Sequence, residues 1–75
     1  MSLPGRVLVT GGGSGIGEAI ASLLAARGSQ VLIVGRDALK LQAVAATAPQ
    51  RISVLDADLT VDADRRRVVE HARIW

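Results

Sequence analysis

The sequence predicts an α/β fold with three layers, in which a single βαβαβα run forms a parallel three-stranded sheet of order 3-2-1. Short β-branched runs alternate with helical 3.6-residue patterns along the whole chain. The connections are a few residues long, without a Ser/Gly/Pro-rich linker or a low-complexity tract. A glycine-rich turn, Thr10-Gly11-Gly12-Gly13-Ser14-Gly15-Ile16-Gly17, joins the first strand to the first helix.

Residues 1–5 read as a lead-in, with Pro4-Gly5 setting a turn. Arg6 to Thr10 is the first strand, and its consecutive Val7-Leu8-Val9 suits a strand covered on both faces. A helix begins near Ile16 and carries apolar residues at Ile16, Ile20, Leu23 and Leu24. Arg27 falls in its last turn and Gly28 just past it, as a C-terminal stop. Gln30 to Val34 is the second strand, again β-branched and continuous. Asp37 is the expected N-cap of the second helix, which shows Leu41, Val44, Ala45 and Ala48 on one stripe before Pro49 ends it. Arg51 to Ala57 is the third strand. Asp62 or Asp64 caps a third helix that runs to the end, with Val61, Val68, Val69 and Ala72 inward. This alternation is the first mononucleotide-binding half of a Rossmann-like fold.

Composition narrows the functional classes. The 75 residues hold one small domain at most, and chains of this size bury about 60% of their unfolded surface. Apolar residues are 49% and charged ones 21%, which is a globular and not a disordered balance. Trp75 is the sole aromatic residue, so the core is built from Val, Leu, Ile and Ala. Without cysteine there is no disulfide framework, and a lone His71 cannot assemble a zinc cluster. A net charge of +2 is not a nucleic-acid footprint. The start Met1–Gly5 lacks a charged segment followed by a long apolar one, and no apolar run approaches the ~20 residues that span a bilayer. The expectation is a soluble, cytoplasmic protein without nucleic-acid or membrane partners.

The glycine-rich turn has a physical use in its strand–turn–helix context. The first N–H groups of a helix lack intrahelical partners, and the helix dipole puts partial positive charge there. Glycine lets the backbone turn sharply and lets a bulky anion approach without meeting a Cβ. A pyrophosphate seated over the start of the first helix is therefore expected. The spacing G-x-G-x-x-G does not fit, because from Gly11 and Gly13 its last glycine would fall on Ile16. The pattern present is T-G-x-x-x-G-x-G, with Gly11, Gly15 and Gly17 as fixed points.

This pattern resembles the short-chain dehydrogenase/reductase family of NAD(P)-dependent oxidoreductases, in the branch of single-domain enzymes of moderate length. The extended branch, with sugar-nucleotide epimerases, shows T-G-x-x-G-x-x-G and would need glycine at Ser14. Gly11, Gly15 and Gly17 then serve the tight turn, the close approach to phosphate and close helix-to-strand packing; Gly13 and Ile16 fall within the same cofactor-binding loop. Ser14 either donates a hydroxyl to a phosphate oxygen or is simply a small polar turn residue.

Gly35-Arg36 ends the second strand, where the adenosine ribose is expected. An acidic residue there would bond the ribose hydroxyls of NAD, whereas arginine offers a planar, permanently charged fork to a 2′-phosphate. In the family, an arginine directly after this strand commonly accompanies NADP preference, which makes NADP the expected cofactor over NAD. The family's other frequent basic residue is absent, since Ser14 stands in its place. Asp37 follows immediately and reads as a helix cap. In the family, an Asp-hydrophobic pair after the third strand contacts the adenine ring, which here is Asp58-Leu59. The alternative for Asp58 is a loop or helix-entry aspartate. Arg65-Arg66-Arg67 step about 100° each around a helix and so form a solvated surface instead of one basic stripe.

The resemblance covers the whole chain but only the beginning of the family's pattern. The family's catalytic Asn, Ser, Tyr and Lys come later, and this sequence has no tyrosine or asparagine, while Lys40 lies on the second helix. The reading is a partial NAD(P)-binding domain over residues 1–75, truncated before strand four and the catalytic segment and inactive alone. It derives from an oxidoreductase passing hydride between NADP(H) and a carbonyl or hydroxyl substrate. A stand-alone nucleotide- or partner-binding module is the alternative, associating with itself through the open edge of strand one. A fragment of an NAD-linked sugar-nucleotide enzyme is the third, disfavoured by Ser14 and Arg36.

Overall fold

A computed structural model describes residues 5–11 and 15–75. The elements are β1 (Arg6–Thr10), α1 (Gly15–Ala26), β2 (Gln30–Gly35), α2 (Ala38–Ala45), β3 (Ile52–Asp56) and α3 (Asp62–Ile74). All three strands are parallel, with β2 between β1 and β3. Val31, Leu32, Ile33 and Val34 on β2 are each 0% exposed. A strand buried on both faces has no use for polar alternation, which is why its sequence is continuously apolar.

The two faces of β2 feed two cores. Val31 and Ile33 pack with Ala21 and Ala25 of α1, Leu41 and Val44 of α2, and Ile52. Leu32 and Val34 pack on the other side with Ala57 and Val68 of α3, and Leu8, Leu55 and Trp75 border that cluster. The layers are therefore α1 and α2, the sheet, and α3.

α1 differs from its apolar pattern. Its inner face is Gly17, Ala21 and Ala25, while Ile16, Ile20 and Leu23 are exposed and Leu24 is half-buried. Two stripes of 3.6-residue period run along this helix, and the small one faces the sheet because it brings the backbone close to β2 without voids. The helix ends with both backbone bonds of a Schellman motif, Ser29 N–H to Leu24 C=O and Gly28 N–H to Ala25 C=O, each at 3.0 Å. Gly28 has φ +97°, a conformation open to glycine. Its carbonyl accepts from Arg51 Nη1 at 2.8 Å.

Asp37 caps α2 as expected, its Oδ1 accepting from the Lys40 N–H at 3.2 Å. That helix stops at Ala45, short of Pro49, and Thr47 Oγ1 donates to the Val44 carbonyl at 2.7 Å. β3 is shorter at both ends than the pattern implied. At α3 the N-cap is Val61, without a side-chain bond, and not Asp62 or Asp64. Both aspartates sit inside the first turn, where carboxylates favour the helix dipole. Val68 is the buried residue of α3, whereas Val61, Val69 and Ala72 are exposed.

Candidate functional site at the carboxyl edge of the sheet

Parallel strands all point the same way, so residues that follow each strand collect at one edge of the sheet. The register makes this concrete: Thr10 stands beside Val34, and Gly35 beside Asp56. Beyond the strands the ladder continues, with Gly11 N–H bonded to Val34 C=O and Ala57 N–H to Gly35 C=O, both at 2.8 Å. A cavity of about 260 Å³ opens at this edge, walled by Gly11 after β1, Val34 and Gly35 at the end of β2, Arg36 after it, and residues 57–60 after β3. Residues far apart in sequence are thus brought together by topology alone.

Two glycines leave room here for different reasons. Gly11 has φ +70° and makes the turn out of β1. Gly35 lies against the core, and a Cβ there would come within 3.3 Å of Leu41 Cδ2. Gly15, the first residue of α1, is unlike both: a Cβ on it would meet nothing within 4 Å, and its φ is not positive. Among the described residues, neither packing nor backbone conformation requires glycine at that position. Ile16 beside it is 79% exposed, and Gly17 is buried on the inner face. Gly13 and Ser14, assigned above to the cofactor loop, lie outside the described residues, as does Gly12.

Arg36 and Asp58 face each other across the cavity rim, with Arg36 Nη1 at 3.9 Å from Asp58 Oδ2. The arginine side chain is 74% exposed and the aspartate 33%. Asp58 is held from several directions. Its Oδ1 accepts the Thr60 N–H at 2.9 Å and the Thr60 hydroxyl at 2.6 Å. Its own N–H donates to Asp64 Oδ2 at 2.7 Å. The Thr60 hydroxyl and then the Thr60 N–H hold the Asp58 carboxyl below the usual carboxylate range; desolvation opposes them, and the Arg36 charge adds a lesser pull in the same direction as Thr60.

That direction has a pH consequence. A depressed folded-state pKa contributes stability above the unfolded value of about 3.9, and the contribution is lost as pH falls through the folded value. Urea midpoints measured between pH 5 and pH 2 are expected to drop less steeply for Asp58→Asn than for the parent chain. Equal slopes would show that Thr60 and Arg36 do not favour the ionised carboxylate.

Thr60, Asp64 and two of the arginines support the site without having been expected there. An aspartate that bonds the N–H two residues on is an Asx turn, and Asp58-Leu59-Thr60 has that spacing, so Thr60 was within reach of the sequence. Asp64, a candidate cap by sequence, instead bonds the Asp58 backbone. Arg65, Arg66 and Arg67 are exposed as expected, but two of them also reach back to the loop. Arg65 Nη1 donates to the Leu59 carbonyl at 2.9 Å, and Arg67 Nη2 to the Asp56 carbonyl at 2.6 Å. Leu59 itself is half-buried and leans on the α3 side of the core.

A larger depression of about 400 Å³ runs along α3 between Arg65, Arg66, Val69 and Glu70. None of the described motif residues lines it, and both arginines are already paired with Asp62, at 3.3 and 3.1 Å. Among the described residues, no three His, Cys, Asp or Glu side chains gather as metal ligands, and no helix is long and apolar enough to cross a membrane.

Three strands in order 3-2-1, two helices on one face and the third on the other define a Rossmann-like α/β unit with its cleft at the strand ends. The chain belongs to the short chain dehydrogenase family, whose model matches residues 5–74. It is 39% identical over 77 residues to a 3-ketodihydrosphingosine reductase of Aspergillus fumigatus, covering 92% of this chain and 21% of that protein. A short-chain dehydrogenase from Sphingobium yanoikuyae in complex with NADPH superimposes with TM-score 0.78 at 41% identity, over 88% of this chain and 27% of that one. A 3-ketoacyl-(acyl-carrier-protein) reductase from Brucella melitensis complexed with NADH gives TM-score 0.84 at 37% identity, over 89% and 28%. The chain thus spans about a fifth of the length of the curated relative and under a third of these two structures.

Proposed function

We propose that residues 1–75 form the dinucleotide-binding N-terminal part of an oxidoreductase that transfers hydride between NADP(H) and a carbonyl or hydroxyl substrate, and that alone they bind without catalysing. The observation that carries this reading is the open space above Gly15, at the amino end of a 12-residue helix that follows the strand whose end, at Gly11, shares a cavity with Arg36 and Asp58. A missing side chain that neither packing nor φ requires is accounted for by a ligand that needs the room.

In this reading each residue has a task that its chemistry suits. Gly11 turns the chain, Gly15 admits the pyrophosphate, and Gly17 seats α1 against the sheet; Gly13, Ser14 and Ile16 complete the loop around the phosphates. Arg36 offers its guanidinium to the adenosine 2′-phosphate, because a fork of fixed donors matches phosphate oxygens. Asp58 accepts from the adenine amino group, and Leu59 lies beside the ring. The nicotinamide, when bound, supplies the hydride; the protein's part is to hold and orient it. The sequence holds no tyrosine for proton transfer, and Lys40 lies on α2. Binding is therefore the activity assigned to these residues.

The test compares adenosine 2′,5′-bisphosphate with adenosine 5′-monophosphate by calorimetric titration of the 75-residue chain. Arg36→Ala is expected to weaken the bisphosphate by about tenfold or more, the worth of a charge-assisted hydrogen bond of ~1.5 kcal/mol or above. The monophosphate is expected to be unaffected. Equal losses, or none, would remove the case for NADP.

A further inference from the structure

We propose that Asp58 sets how strongly the site prefers a 2′-phosphorylated nucleotide, by holding the Arg36 guanidinium in competition with that phosphate. This rests on the assignment of Arg36 to the 2′-phosphate and adds a second determinant that acts through it.

Mobility and charge carry the inference. The Asp58 carboxylate is a fixed charge: Thr60 takes Oδ1 with two hydrogen bonds, and Asp64 Oδ2 holds the Asp58 N–H at 2.7 Å. The remaining oxygen, Oδ2, is the one directed at Arg36. Arg36 is the opposite kind of group, a long side chain 74% exposed, so its guanidinium rests where a fixed negative charge draws it. Two other carboxylates nearby are engaged elsewhere. Asp37 caps α2 through Lys40, and Asp64 lies 3.6 Å from Arg67 Nη2. Asp58 is, among the described residues, the carboxylate that pairs with Arg36.

Two consequences follow for a ligand. A nucleotide without a 2′-phosphate can enter and leave the Arg36–Asp58 pair as it stands. One with a 2′-phosphate has to draw the guanidinium away and then sit beside a carboxylate of like charge. An exposed ion pair is worth little, between nothing and about fivefold in an equilibrium constant. The bias is therefore modest, a tempering of selectivity and not a block. Asp58 also has a proposed contact with adenine, but adenine is common to both nucleotides and cancels when their affinities are divided.

The readout is the ratio of the two dissociation constants, adenosine 5′-monophosphate over adenosine 2′,5′-bisphosphate, measured on the 75-residue chain. Asp58→Asn keeps an oxygen for Thr60 and removes the charge. It is expected to raise the ratio about two- to fivefold at low salt, with the gain shrinking as ionic strength rises. In an Arg36→Ala background the same substitution is expected to move the ratio less. Loss of folded protein scales both affinities together, so a partly unfolded variant still reports on the ratio. An unchanged or lowered ratio in Asp58→Asn, with Arg36→Ala still abolishing the preference in the parent, overturns this inference and leaves the NADP reading standing. A ratio indifferent to Arg36→Ala overturns the NADP reading and this inference with it, as does a chain that binds neither nucleotide.

Discussion

Gly15→Val is expected to abolish detectable NADPH binding while leaving the fold as stable as before or slightly more so. The two effects have opposite signs because they have different origins. Gly15 opens α1 with a non-positive φ, and a Cβ there meets nothing within 4 Å. An L-residue is therefore accepted without strain, and replacing glycine in a helix recovers a few tenths of a kcal/mol of backbone entropy. The same branched side chain stands where the phosphates are proposed to meet the helix amides. Losing two charge-assisted hydrogen bonds at ~1.5 kcal/mol each corresponds to about a hundredfold in affinity. Fluorescence titration with NADPH, run beside a urea melt, reads both quantities on one preparation. Retained binding in a stable variant would sink the placement of the pyrophosphate at α1, whatever the fold.

The second large effect concerns the central strand. Ile33→Ala removes a side chain that is 0% exposed and packed among Ala21, Ala25, Leu41, Val44 and Ile52. Such truncations destabilise by about 2–5 kcal/mol, the lost transfer energy plus the cavity left behind. A domain of 75 residues has roughly 4–11 kcal/mol in total. The variant is thus expected to lose about a fifth or more of its stability and to show a urea midpoint lowered in proportion. Leu23→Ala, on the outward stripe of α1 at 55% exposure, is expected to stay within ~0.5 kcal/mol of the parent. A Leu23 effect as large as that of Ile33 would mean that the outer face of α1 is covered in solution.

The contrast between those two residues shows which parts of the fold could be read in advance. β2 was legible because a strand buried on both faces leaves an unbroken apolar run, and Val31 to Val34 has one. The stop of α1 was legible because Gly28 must adopt φ +97° and few residues can. The orientation of α1 was not. Periodicity ranks faces by hydrophobicity, and Ile16, Ile20 and Leu23 outrank Gly17, Ala21 and Ala25. Closeness to the sheet selected the smaller stripe instead. α3 misled in a related way, since one valine of the pair at 68 and 69 suffices to bury it.

At the site, Gly11, Arg36 and Asp58 were legible because each lies within two residues of a strand end, and parallel strands end on one side. The supports were harder to see. Asp64, Arg65 and Arg67 act on residues 56–59 through contacts that depend on where α3 starts, and Val61 carries the start without any side-chain bond to announce it.

The parallel sheet also divides the molecule into two rims of unequal freedom. At one rim stand Gly11, the Gly35-Arg36 corner and the 57–60 loop, where an inserted residue would pull the cavity walls out of alignment. The other rim holds the returns at 27–29 and 46–51, joined by the Arg51 bond to Gly28 and remote from every proposed ligand contact. Divergence in length can accumulate there without disturbing the cavity, so one scaffold can vary its outline on one side while the other keeps its walls in place.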